Sequence, residues 1–219
     1  MIPLIFPSRC NFCGDLLCDS KEICDSCVKT MPVLKGEICE ICGREIAACK
    51  CKVGDFAFKR NVSFMRYEGP CKNIIIRYKF SSLPQLSKFM GSELAKFIKI
   101  KYSGYDFDFI SYVPMNPINK FKRKYNPAQL LAKEISKELN LPMVDTLSKK
   151  FTLKQQKMLD KKDRMKFVKG KFKAKGDFKD KKILLVDDVF TTGSTLNECS
   201  KVLRTSGAEY VCTVTFAIS

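Results

Sequence analysis

Ile183-Leu-Leu-Val-Asp-Asp-Val-Phe-Thr-Thr-Gly-Ser-Thr195 is the stretch on which the reading of this chain turns. Lys182 to Val186 is an apolar run of strand length that ends in two adjacent carboxylates. A turn is expected over Asp187 to Ser194, a helix over Thr195 to Ser206 closed by Gly207, and a further strand over Tyr210 to Ile218, which completes a βαβ unit. The loop is suited to an anion. Consecutive amides from Thr191 to Thr195, with a helix dipole behind them and the hydroxyls of Thr191, Thr192, Ser194 and Thr195 beside them, wrap a phosphate without a lysine. Gly193 permits close approach, and a Walker loop is excluded because no lysine follows it. Asp187 and Asp188 would then accept hydrogen bonds from two ribose hydroxyls and help hold Mg²⁺, which prefers hard oxygen ligands.

Upstream, the same alternation of strand and helix recurs. Val62 to Tyr67 reads as a strand, and Pro70 stands at a first helical position ahead of Cys71, Ile74, Ile75 and Tyr78 at helical spacing. A second helix is predicted from Pro84 to about Ile100. Asp108 to Val113 reads as a buried strand ending at Pro114, and Asn126-Pro127 as an N-cap opening the next helix. Leu147 to Gly176 is dense in lysine and poor in bulky apolar residues, so much of it is expected to be a mobile loop. The fold class is α/β, with a mostly parallel sheet and ligands at the carboxyl ends of its strands.

Residues 1–52 are different in kind. Of the 12 cysteines in the chain, nine fall between Cys10 and Cys51. Cys10-x-x-Cys13 with Cys24-x-x-Cys27 has the spacing of a tetrahedral thiolate site, and Cys39-x-x-Cys42 with Cys49-x-Cys51 makes a second. About two zinc ions are expected, with Cys18 left over, and a domain boundary falls near Val53, so that residues 53–219 form the larger domain. Four thiolates leave no open coordination position, so these sites staple a mini-domain or present a surface to DNA or a partner; iron–sulfur ligation suits paired ribbons less well.

The 219-residue chain has 40 Lys and Arg against 23 Asp and Glu, a formal net charge of +17, and no histidine. Acidic partners follow from the charge, and the absence of histidine excludes His-dependent catalytic triads and His-ligated metals. No signal peptide or membrane span is read, so a cytoplasmic location is expected. Between Lys120 and Lys182 there are 21 basic residues against 7 acidic ones, with Phe121, Tyr125, Phe151, Phe167 and Phe172 interleaved. Exposed rings among cations stack unpaired bases, which points to sequence-tolerant, salt-sensitive binding of single-stranded DNA; a lysine-rich composition with Phe167 and Phe172 in the core is the alternative.

The stretch from Ile183 to Thr195 resembles the phosphoribosyl pyrophosphate signature of type I phosphoribosyltransferases. Together with the double zinc ribbon it resembles the ComF family, competence proteins implicated in handling incoming single-stranded DNA during natural transformation. Tyr67-Glu-Gly-Pro70 through Lys79, and Val113-Pro114 through Leu131-Ala132 with Arg123 and Asn126, are similar to further family segments, as are Thr152, Gln155 and Arg164. Lys124-Tyr125-Asn126-Pro127 and Phe167 depart from the family pattern. The resemblance implies a type I phosphoribosyltransferase-like parallel sheet behind a double zinc ribbon. It implies a phosphoribosyl site of Asp187, Asp188, Val189, Phe190, Thr191, Thr192, Gly193, Ser194 and Thr195, with Mg²⁺ at Asp187 and Asp188. It also implies a pyrophosphate rim of Lys79, Pro114, Met115, Asn116, Lys120 and Arg123, and a translocation protein as partner. A housekeeping enzyme transferring the phosphoribosyl group to a base or amine is the rival reading, and no residue is assigned to catalysis.

Overall fold

The computed structural model describes residues 8–17, 21–81, 83–116, 121, 123–149 and 170–219. Its elements run α1 (Asp25–Lys29), a 3-10 turn (Ile46–Ala48), β1 (Arg60–Arg66), α2 (Gly69–Phe80), α3 (Leu86–Lys101), β2 (Phe109–Tyr112) and α4 (Pro127–Leu139). They continue with β3 (Leu147–Lys149), β4 (Phe172–Ala174), β5 (Lys182–Phe190), α5 (Ser194–Thr205) and β6 (Tyr210–Ile218). Four strands make a parallel sheet in the order β1, β6, β5, β2, while β3 and β4 pair antiparallel beside it.

The period-2 alternation of β5 explains the layering. Ile183 and Leu185 pack with Leu196, Cys199 and Leu203 of α5 and with Phe172 of β4. Leu184 and Val186 pack with Ile74 and Ile75 of α2, Met90 and Leu94 of α3 and Leu131 of α4. Both faces are therefore covered, as a parallel sheet requires. Asn126 opens α4 as its side chain accepts from the Ala128 amide, while its Nδ2 donates to the Val113 carbonyl at 3.0 Å and so ties α4 to the end of β2. Among the described residues no helix is long and apolar enough to cross a membrane.

Two expectations change. The strand does not stop at Val186: pairing with β6 continues through Asp187↔Thr215 to Phe190↔Ile218, because the Phe190 ring and Ile218 are themselves buried. Asp187 and Asp188 are thus strand residues, not turn residues. The lysine-dense segment is also ordered at both ends, where Leu147 pairs with Ala174 and the buried side chains of Leu147 and Phe172 join the α5-side core. Phe172 is core and so leaves the set of candidate stacking rings; residues 150–169, with Phe151, Thr152, Gln155, Arg164 and Phe167, lie outside the described residues.

The Cys-rich segment borrows the core of the larger domain. Cys10, Phe12 and Cys27 pack against the α2–α3 side, where Phe12 meets Phe89 edge-on at 5.7 Å. Cys42 packs with Phe58 and Phe190 on the other side. Helices α3 and α4 meet tightly at Gly91, where an added Cβ would lie 2.5 Å from Glu134 Cβ. Helix propensity favours alanine over glycine by about 1 kcal/mol, but a contact this short, against a side-chain root that cannot swing away, costs about 1–3 kcal/mol. Gly91→Ala is expected to lower stability in urea unfolding; a more stable variant would mean that the two helices separate freely.

Candidate functional site

The end of β5 lies beside the turn that follows β2, since the Val113 amide donates to the Val186 carbonyl at 3.0 Å. Pro114 is buried and Met115 and Asn116 half-buried, so the turn expected to form one rim of the site borders the carboxylates. The two carboxylates look different ways. Asp188 meets the Lys79 ammonium of α2 at 2.5 Å, whereas Asp187 interacts electrostatically with Lys149 of β3 and Cys199 of α5. Asp187 accepts from the Asp188 amide at 2.8 Å. Burial, and next the neighbouring Asp188 charge, raise its carboxyl to about 7, against the lowering pull of Lys79 and Lys149. Burial likewise lowers the Lys149 ammonium, which lies 5.2 Å from the Phe172 ring centre.

Beyond Phe190 the chain turns through Thr191 and Thr192 to Gly193, whose φ of +74° serves as the N-cap of α5. The N-cap glycine offers no side-chain cap and the first turn carries no acidic residue, so the helix start suits an anion. Thr192 Oγ1 and Ser194 Oγ are 2.6 Å apart, and the Ser194 amide donates to Thr192 Oγ1 at 3.3 Å, which gathers two hydroxyls at the helix start. An added Cβ at Gly193 would lie 2.5 Å from the Phe190 ring and 2.9 Å from Phe56, so glycine is required for space as well as for backbone angle.

The expected basic rim is only partly assembled. Lys79 is engaged with Asp188. The Arg123 guanidinium lies 4.6 Å over the ring of Phe80, which is 68% exposed at the end of α2. Lys120 is outside the described residues. Phe121 is 89% exposed, whereas Tyr125 is half-buried and its hydroxyl donates to the Tyr78 carbonyl. Sequence reasoning missed Lys149, Phe80 and Arg44, because the partners that give them meaning are remote in the chain.

The two cysteine sets close as the spacing requires. Cys10, Cys13, Cys24 and Cys27 form one group and Cys39, Cys42, Cys49 and Cys51 the other, with the sulfurs of each within 4.8 Å of one another. Sulfur separations of 3.7 Å for Cys13–Cys24 and 3.5 Å for Cys39–Cys51 and Cys42–Cys49 match a tetrahedron of about 2.3 Å zinc–sulfur bonds. Burial acts to raise the thiols of Cys10 and Cys39, but amides of Cys13, Cys24 and Phe12 directed at Cys10 draw it down to about 6, and those of Cys42 and Ile41 bring Cys39 to about 7. Gly14 and Gly43, at φ of +90° and +74°, turn the chain behind each knuckle. The residues present fit two zinc ions.

Comparisons with known proteins agree with both halves. A Double zinc ribbon domain model matches residues 1–57, and a Phosphoribosyl transferase domain model matches residues 128–218. Competence protein F of Haemophilus influenzae is 29% identical, over 94% of this chain and 95% of its own. Competence protein ComFC of Streptococcus pneumoniae is 28% identical, over 89% and 87%. Among solved structures, a purine phosphoribosyltransferase from Pyrococcus horikoshii is 18% identical at a TM-score of 0.38, over 60% of this chain and 84% of its own. A glutamine phosphoribosylpyrophosphate amidotransferase from Bacillus subtilis is 21% identical at a TM-score of 0.40, over 59% of this chain but only 25% of its own. Two competence proteins that align along about nine-tenths of the chain, a zinc ribbon model and a phosphoribosyltransferase model converge: the chain joins a double zinc ribbon to a phosphoribosyltransferase domain and is similar along its length to competence proteins.

Proposed function

We propose that the site at the end of β5 binds phosphoribosyl pyrophosphate with Mg²⁺ and that the protein acts in the cytoplasm on single-stranded DNA during its uptake. The observation that carries the first part is the continuity of Asp187 and Asp188 with an uncapped helix start across a glycine in the left-handed region. The 5-phosphate would lie on the amides and hydroxyls from Thr191 to Thr195, and the ribose hydroxyls would donate to the carboxylates. Val189 and Phe190 form the backbone link between these two parts. Asp187 and Asp188 are the residues that would hold Mg²⁺, whose charge offsets that of a pyrophosphate. The turn from Pro114 to Asn116 supplies the facing wall.

A single-stranded polyanion is favoured by the Phe80–Arg123 stack. It is an exposed ring topped by a cation, next in sequence to the Lys79 that meets Asp188, with Phe121 also exposed. A base stacking on such a platform contributes about 1–3 kcal/mol irrespective of its identity. With the +17 net charge this predicts sequence-tolerant, salt-sensitive binding.

Titration of phosphoribosyl pyrophosphate and Mg²⁺ by calorimetry is expected to show one saturable site that is lost in Asp187→Ala, Asp188→Ala. Silence in the parent protein would remove the phosphoribosyl reading, and saturable binding would justify an acceptor screen. In parallel, Phe80→Ala is expected to weaken binding of a thymidine oligonucleotide about tenfold at fixed salt, in line with the loss of one stacked base; equal affinity would dismiss the platform. Asp187→Asn should separate binding from stability. Ionisation of Asp187 opposes folding, so its contribution is full below the ordinary carboxylate range and is lost as pH rises through about 7. The amide should therefore raise the melting temperature at pH 8 and leave it unchanged at pH 4, while weakening phosphoribosyl binding. A lower melting temperature at pH 8 would show that the carboxylate is better satisfied than its burial implies.

A further inference from the structure

Arg44 belongs to the second zinc ribbon, yet its side chain ends on the phosphate loop. Its backbone is held by the knuckle: its amide is directed at Cys42 Sγ, and its carbonyl accepts from the Cys39 amide at 2.7 Å. Its guanidinium crosses to the larger domain, where Nη2 donates to the carbonyls of Thr191 and, at 3.1 Å, of Ser219. The same group lies 5.0 Å over the Phe190 ring. Phe190 in turn fills the space behind Gly193 and is flanked by Phe56 and Phe58, which stack on each other at 4.6 Å. Asn197, in the first turn of α5, accepts from the Ala57 amide at 2.7 Å.

The second ribbon and the segment leaving it thus grip the loop at its start, its middle and its first helical turn. None of these contacts uses the hydroxyls of Thr192 and Ser194 or the amides of the helix start. In a trans peptide the C=O and the following N–H point in opposite directions. Holding the Thr191 oxygen on Arg44 therefore turns the Thr192 N–H away from the ribbon, towards the open side of the loop. If that peptide rotated, a carbonyl oxygen would replace a donor on the anion-facing side. A guanidinium suits the task, since its planar Nη2 amino group holds two main-chain oxygens in a fixed geometry while one face lies on a ring.

We infer that Arg44 is a positioning residue for the phosphate loop, through which the second zinc ribbon sets the loop's affinity for a phosphoribosyl ligand. The inference rests on the phosphoribosyl reading above, and its test has an arm that does not. In the full zinc-loaded chain, Arg44→Ala is expected to weaken binding of phosphoribosyl pyrophosphate with Mg²⁺ at least tenfold, with zinc content unchanged. Arg44→Lys, which keeps a donor but lacks the planar group that lies on Phe190, should fall between the two. Glu40→Ala removes the 2.7 Å ion pair that the same ribbon makes with Arg60 of β1, away from the loop, and should bind like the parent. Independently of ligand, hydrogen exchange at the amides of residues 191–195 should quicken in Arg44→Ala and stay unchanged in Glu40→Ala.

Parent-like exchange in Arg44→Ala, or equal effects of Arg44→Ala and Glu40→Ala, would overturn the inference. If the parent chain binds no phosphoribosyl pyrophosphate, the phosphoribosyl reading and the affinity claim fall together. Faster exchange at 191–195 would then still uphold Arg44 as the residue that orders the loop, and unchanged exchange would remove that as well.

Discussion

β5 is paired on both edges, to β2 through Phe109↔Ile183 and onward and to β6 through Phe190↔Ile218, and is covered on both faces. A strand in that position has no slack, so whatever lies at its carboxyl end is held to the tolerance of the sheet itself. Asp187, Asp188 and the loop to Gly193 inherit that rigidity. The consequence is electrostatic as well as geometric. Two adjacent carboxylates brought to the end of a buried strand repel each other and are partly withdrawn from water, and the domain offsets this with Lys79 from α2 and Lys149 from β3. The site is a place where folding free energy is given up to keep charge where a ligand needs it.

The zinc ribbons are small, and their apolar residues do not make a core of their own. Each packs into one layer of the larger domain and is tied to it by a guanidinium clasp. On the α2 side, Arg77 donates to the carbonyls of Cys10 at 3.1 Å and Asn11 at 2.8 Å, two residues before the Lys79 that meets Asp188. On the α5 side, Arg44 reaches Thr191. The first knuckle is thereby linked to one carboxylate through a single turn of helix, and the second to the phosphate loop through one side chain. Guanidinium groups donating to main-chain oxygens form these two links, which is one outlet for the excess of basic residues.

Strong local grammar carried far. Apolar runs of strand length, the Asn126-Pro127 helix start, and Cys-x-x-Cys spacing each encode a conformation within a few residues, and the corresponding elements stand where expected. The misjudged places have a common cause. The strand boundary after Val186 was decided by pairing with β6, and the order of Leu147 and Phe172 by a core that exists only once α5 has packed. Neither influence is written near the residues it acts on.

By itself the sequence determined the chemistry available to this protein: eight thiols in two sets, two carboxylates ahead of a glycine-bearing hydroxyl loop, no histidine, and a large positive charge. It determined the α/β class through periodicity, because burial on a strand or a helix repeats over two or 3.6 residues whatever the fold around it. Tertiary structure alone decided which cations serve which anions and carbonyls. Lys79 was diverted to Asp188, Arg123 to Phe80 and Arg44 to Thr191, since long side chains choose partners by proximity in space, and residues 44 and 191 become neighbours only when ribbon and sheet share one core.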